Sequence, residues 1–224
     1  PSYQSTEAGP FNQWPNGLGF DYFYGFMGGD ASQWEPNLYR NTSPIYPFEG
    51  NEEWNLTTAM ADEAINYMKE LKEVAPEKPF FVYYVPGGTH APHHPTPEWI
   101  EKISDMHLFD EGWNKLRETI FENQKRLGIM PEDAKLTAWP KELPEWNSKS
   151  DLEKKLFIKQ MNVYAAYLAY TDYEVGRVIK SVEDMGQLDN TLIIYISGDN
   201  GASSEGMLDG TPNEFTFFNG VAVP

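Results

Sequence analysis

Two short apolar runs constrain the fold of this chain more than any other feature. Phe80-Phe81-Val82-Tyr83-Tyr84-Val85 and Thr191-Leu192-Ile193-Ile194-Tyr195-Ile196-Ser197 are continuous, aromatic or β-branched, and bracketed by Pro and Gly. A strand with one wet face would alternate apolar and polar residues, so unbroken runs predict strands buried on both faces. Each run follows a stretch of helical period. Ala61, Ala64, Ile65, Met68 and Leu71 recur at three- and four-residue steps and predict a helix over 57–73, capped by Asn55 or Thr57. Before the second run, Ser150-Asp151-Leu152-Glu153 is a capping box. It opens a long helix through Leu156, Met161, Tyr164, Leu168, Val175, Val178, Ile179 and Val182 to Met185, where Gly186 stops it. Helix, buried strand, long helix, buried strand predicts an α/β fold with a mostly parallel sheet flanked by helices.

The remaining segments read less regularly. Residues 1–50 are rich in Gly, Pro, Asn and aromatics, with Phe20, Tyr22, Phe23, Tyr24 and Phe26 closely spaced. That density predicts an ordered, aromatic-anchored loop with short strands. Glu98–Ile103 and a stretch from Asp110 to about Gly128 read as helices, and 129–150 as a Pro- and Trp-containing connector.

Charge and composition exclude several classes of function. The chain carries 17 basic and 34 acidic side chains, a formal charge of -17. That balance argues against nucleic acid or an anionic membrane surface as partner, since both attract basic patches. An anionic substrate stays possible where a local cation outweighs the global field. The absence of cysteine excludes disulfides, thiolate metal sites and a cysteine nucleophile from these residues. No run of about 18 apolar residues predicts a membrane-spanning helix.

In open α/β sheets, ligands bind beyond the carboxyl ends of the strands. Two segments leave such ends here, Pro86-Gly87-Gly88-Thr89-His90-Ala91-Pro92 and Gly198-Asp199-Asn200-Gly201-Ala202. Parallel neighbouring strands would bring both loops to one sheet edge. Asp199 and Asn200 offer a carboxylate and an amide oxygen, the donors hard divalent cations prefer. The same tetrapeptide is also a common turn. His90, His93 and His94 have the spacing of helical zinc ligands, but Pro92 and Pro95 forbid that helix. A histidine at His90 can donate to an anion or protonate a leaving group; the alternative is a ring bonded into loop packing. Asn41-Thr42-Ser43 and Asn55-Leu56-Thr57 match glycosylation sequons, which arise often by chance.

Several of these segments together resemble one family. Trp14-Pro15-Asn16-Gly17-Leu18-Gly19-Phe20-Asp21-Tyr22-Phe23-Tyr24-Gly25-Phe26 is similar to the Gly-Phe-Asp/Glu-x-Phe-x-Gly-Phe stretch of bacterial arylsulfatases. Thr89-His90-Ala91-Pro92-His93 resembles their His-x-Pro loop. Tyr195-Ile196-Ser197-Gly198-Asp199-Asn200-Gly201-Ala202 resembles their Ser-Asp-Asn-Gly metal loop, with one extra glycine. The stretches Val163–Tyr167, Val175–Val178 and Gly186–Thr191 also look like theirs, so the similarity runs the length of the chain in order.

The resemblance implies a type I, formylglycine-dependent sulfatase with an alkaline-phosphatase-like fold, of which residues 1–224 are the central part. A helical and loop insertion is expected at about 104–150. It implies hydrolysis of small-molecule or carbohydrate sulfate esters, with calcium, or second to it magnesium, on Asp199 and Asn200. His90 would contact the sulfate and assist departure of the alcohol. The hydrated aldehyde would attack sulfur and re-form as sulfate leaves. The family's Cys/Ser-x-Pro-x-Arg nucleophile motif does not occur in these residues. The fold is therefore expected to be incomplete, the formylglycine to lie outside the chain, and the 224 residues to be inactive alone. A phosphate or phosphonate ester hydrolase of the same superfamily is the nearest alternative, since fold-level likeness does not separate the two. A non-catalytic binding module is the other. Oligomeric state and compartment are left open by the sequence.

Overall fold

The computed structural model describes residues 5–198 and 207–211. They fall into two compact units. The first comprises residues up to Thr96 and those from Tyr167 onward through the second apolar run; the second comprises Pro97–Ala166 and the short segment around Asp209. Residues 104–150 lie in the second unit.

The first unit opens on an aromatic loop and a small sheet. Strands β1 (Tyr24–Gly25), β2 (Leu38–Arg40) and β3 (Ser43–Ile45) form an antiparallel meander in the order β1-β2-β3. Trp14 is fully buried and meets Tyr39 edge-on at 4.9 Å, the geometry ring quadrupoles favour. Tyr22 stacks on Tyr67 at 4.6 Å, and its hydroxyl donates to Glu63 over 2.6 Å. Arg40 closes this group with a hydrogen bond to Tyr22 and an ion pair to Glu63.

Helix α1 (Leu56–Val74) forms as its period predicts, one residue longer at each end than the stretch 57–73. Asn55 is its cap: extended backbone carries the side-chain oxygen to the Thr57 amide at 2.9 Å, satisfying one otherwise orphaned helix donor. Its inner face buries Leu56, Ala61, Ile65 and Met68, each large side chain contributing about 1.5–3 kcal/mol by leaving water.

Helix α4 (Asp151–Asp184) divides between the units near Ala166. The capping box closes as expected: Ser150 N donates to Glu153 at 2.8 Å and Glu153 N to Ser150 Oγ at 3.3 Å. These bonds pull the Glu153 carboxyl down to about 2. Gly186, at φ +67, follows the helix end, a conformation glycine adopts without a Cβ clash.

The buried face of α4 differs from the expected one. Leu168, read as a core position, is 51% exposed, while Tyr167, Tyr170, Thr171, Glu174, Ser181 and Val182 are buried. This row is partly polar, and α1 supplies partners for its Tyr170 and Glu174. Thr58 Oγ1 donates to Glu174 at 2.8 Å and lies 2.5 Å from the Tyr170 hydroxyl. Arg177 bridges Glu174 and Asp62 at 2.5 and 2.6 Å. A buried carboxylate is tolerated only when paired in this way.

The two apolar runs depart further from expectation. Neither Phe80–Val85 nor Thr191–Ser197 forms a strand, and the sheet among the described residues is antiparallel. Phe81 is 78% exposed, Leu192 85% and Ile196 87%. Side chains of a parallel strand are covered by layers on both faces, and its backbone by strands on both edges. Among the described residues no strand pairs with either run, so side chains such as Phe81, Leu192 and Ile196 stay in solvent, while Phe80 and Tyr84 are half-buried.

In the second unit, α2 (Pro97–Ser104) and α3 (Gly112–Arg126) precede the connector. The connector is tied back by specific bonds. Trp113 Nε1 donates to Pro144 O at 3.0 Å, Asn114 Oδ1 accepts from Trp146 N at 2.8 Å, and Arg117 reaches Thr137. Trp113, Trp146 and Phe157 form an aromatic core with ring centroids 4.9–6.4 Å apart.

Candidate active site: the histidine loop

The chemistry-bearing residues of the first unit gather between Pro86 and Thr96. Proline at Pro86, Pro92 and Pro95 restricts this loop to extended and turn backbone. A tight turn sets its start: His90 N donates to Gly87 O at 2.8 Å. The loop then passes a buried glutamine. Gln33 N donates to His94 Nδ1 at 3.3 Å, its side-chain oxygen accepts from Thr57 Oγ1 at 3.3 Å, and its carbonyl accepts from Leu56 N at 2.8 Å. Asn55 Nδ2 donates to His94 O at 3.1 Å. The start of α1 and the histidine loop are thus joined through Gln33, by its side chain to Thr57 and its backbone amide to His94, and through the Asn55 side chain.

The three histidines are not equivalent. His93 places Nε2 3.2 Å from Thr89 O, so that nitrogen carries the proton. His94 uses Nδ1 as an acceptor, so its Nδ1 is bare. Burial lowers the pKa of both rings, because a buried imidazolium loses hydration. Both are histidines bonded into loop packing. His90 is exposed, with Nδ1 2.6 Å from its neighbour's carbonyl, Ala91 O. A carbonyl only accepts, so Nδ1 holds the proton and Nε2 is left for solvent or a ligand.

Among the described residues no group of three or more His, Cys, Asp or Glu could hold a metal. Asp199 and Asn200, expected as cation ligands, lie outside the described residues. Of the two sequons, Asn55 is buried and engaged on both ends of its amide. Asn41 Oδ1 accepts from Phe23 N at 3.0 Å and Asn16 Nδ2 at 3.2 Å. Gln33, Tyr167 and Thr171 belong to the surroundings of this loop without having been legible as such. Only Tyr167 and Thr171 left a trace, their four-residue spacing on one helix face.

Comparison with known proteins places this chain in a family. The family model described as Sulfatase matches residues 2–224. The chain belongs to the sulfatase family, whose fold class is alkaline-phosphatase-like α/β. It is 27% identical over 223 residues to an uncharacterized sulfatase of Schizosaccharomyces pombe, covering 89% of this chain and 39% of that protein. It is 25% identical over 198 residues to an arylsulfatase of Klebsiella aerogenes, covering 84% and 41%. An N-acetylglucosamine-6-O-sulfatase of Bacteroides thetaiotaomicron is 23% identical over 241 residues, covering 87% and 41%. The chain therefore spans about two fifths of the length of these relatives.

Proposed function

We propose that the protein acts in hydrolysis of sulfate esters, arylsulfatase-type, on aryl or carbohydrate sulfates, and that His90 protonates the departing alcohol. The observation that carries this is the contrast among the three histidines: His93 and His94 are committed to the loop, while His90 is exposed with Nε2 uncommitted. With Nδ1–H directed at Ala91 O, a second proton on the ring resides at Nε2. That proton can pass to the alkoxide oxygen as the sulfur–oxygen bond breaks, which matters most when the alcohol is a poor leaving group.

Asp199 and Asn200 fit a calcium ion by donor type, both presenting hard oxygens. Calcium held there would stabilise negative charge on the sulfate oxygens. No Cys/Ser-x-Pro-x-Arg motif occurs among the 224 residues, so the nucleophile is assigned to the remainder of a longer protein, and these residues alone are expected not to turn over.

The test is His90→Ala in the full-length protein, assayed with an aryl sulfate, an alkyl sulfate and the matching phosphate monoester. Sulfate release should fall about 10²- to 10⁴-fold, more for the alkyl than for the aryl ester. Undiminished alkyl-sulfate turnover would remove His90 from the reaction. Preference for the phosphate ester would overturn the substrate class.

A further inference from the structure

We propose that Thr171 and Tyr167 of α4 are positioning residues for His90, seating the Gly87-Gly88 turn from which it projects. The proposal rests on the role assigned to His90 above.

The two glycines are required for space and not for backbone freedom. Neither has a positive φ, so an L-residue could adopt either conformation. A Cβ added at Gly88, however, would lie 2.0 Å from Thr171 Oγ1 and 3.0 Å from its Cβ. At Gly87 it would lie 2.9 Å from the Tyr167 hydroxyl and 3.0 Å from Gln33 Nε2. Tyr167 and Thr171 are one helical turn apart and share a face. The loop backbone therefore lies directly against a two-residue shelf on α4.

The shelf is polar where packing alone would favour apolar side chains. Tyr167 is fully buried with its hydroxyl in reach of Thr57, and Thr171 is 6% exposed with no hydrogen-bond partner for Oγ1. Native structures retain few such groups, because each forgoes its hydration without return. Here the glycine hydrogen standing where a side chain would be points at Thr171 Oγ1, a weak C–H···O contact available only to a residue without Cβ. The consequence reaches His90 through one bond: Gly87 O accepts the His90 amide at 2.8 Å. A turn lifted off the shelf carries that carbonyl, and the imidazole, with it.

The experiment uses histidine-labelled chain of all 224 residues with Gly88→Ala, Thr171→Ala and the double variant, each checked for cooperative melting. The His90 ring resonances report the Nδ1–H tautomer, with those of His93 and His94 as internal references. Gly88→Ala should shift the His90 signals and speed amide exchange across Gly88–His90. Adding Thr171→Ala should reverse much of that change. It removes Oγ1 and Cγ2, leaving only the 3.0 Å Cβ contact, which a small shift relieves. In the full-length protein Thr171→Ala should lower kcat about 10- to 100-fold with KM little changed, the signature of a misplaced group and not of lost binding. His90 signals and exchange that stay at wild-type values in folded Gly88→Ala would overturn the proposal. Sulfate-ester activity lost in His90→Ala would then still support the function. Conversely, absence of any turnover in the parent would leave the resonance result intact.

Discussion

Asn55 donates its side-chain amide to the His94 carbonyl over 3.1 Å while its side-chain oxygen accepts the Thr57 amide at 2.9 Å. One buried residue both caps α1 and tethers the histidine loop, so helix initiation and loop placement share a single side chain. Asn55→Ala removes both bonds and should destabilise the first unit by about 2 kcal/mol, roughly one for the cap and one for the tether. Asn55→Asp retains the cap oxygen but has no donor for His94 O, so it should keep α1 while loosening the loop. Urea unfolding followed by helix signal, with amide exchange at His93 and His94, separates the two. The same burial predicts no glycan at Asn55 on expression in a glycosylating host, read by intact mass.

His94 makes the loop acid-sensitive. Burial holds its pKa below the ordinary value of 6.5, and its Nδ1 accepts the Gln33 amide. The folded state therefore prefers the neutral ring. That stabilisation is fully present above the unfolded pKa near 6.5 and declines as pH falls through the lower folded value. Protection of the Gln33, His93 and His94 amides, taken relative to the intrinsic exchange rate at each pH, should fall as pH drops below the ordinary histidine value. His94→Gln, which keeps an acceptor without a titration, should flatten the dependence; an unchanged pH profile in that variant would assign the effect elsewhere.

Gly112 leaves no room for a side chain. Its φ is +78, and a Cβ would stand 2.2 Å from the Trp146 ring. Gly112→Ala combines left-handed strain with overpacking and should cost about 2–4 kcal/mol. Trp146 abuts Trp113 and Phe157, so tryptophan fluorescence should report the loss as a red shift and a lower urea midpoint.

The two apolar runs predict the solution behaviour of these 224 residues. Phe81, Tyr83, Leu192, Ile194 and Ile196 are exposed on segments whose composition favours strands. Unpaired backbone beside exposed apolar side chains is a template for association. The chain should bind a hydrophobic dye and sediment with concentration-dependent mass. Leu192→Lys with Ile194→Lys should reduce both without lowering the melting temperature. Persistence of both properties in that variant would point to another surface.

Local elements were legible in the sequence because their causes are local. The capping box at Ser150–Glu153 and the Gly186 stop each act within one helical turn and stand where the residues place them, and of the two caps the sequence offered for α1, Asn55 or Thr57, it is Asn55 that forms. The order of family motifs, read in one dimension, likewise led to the sulfatase family that comparison shows. His90 was legible as a candidate because glycines and prolines expose it.

What only the tertiary structure decided depends on partners distant in sequence. Hydropathy placed Leu168 inside α4, but Thr58 and Asp62 on another helix make Glu174 and Arg177 the residues worth burying. Apolar runs read as buried strands because composition records an affinity for burial and not the presence of the neighbours that supply it. The division of labour among His90, His93 and His94 came from Gln33, Asn55 and two backbone carbonyls. A side chain's chemistry is set by the groups that desolvate and bond it, and those contacts exist only after the chain has closed on itself.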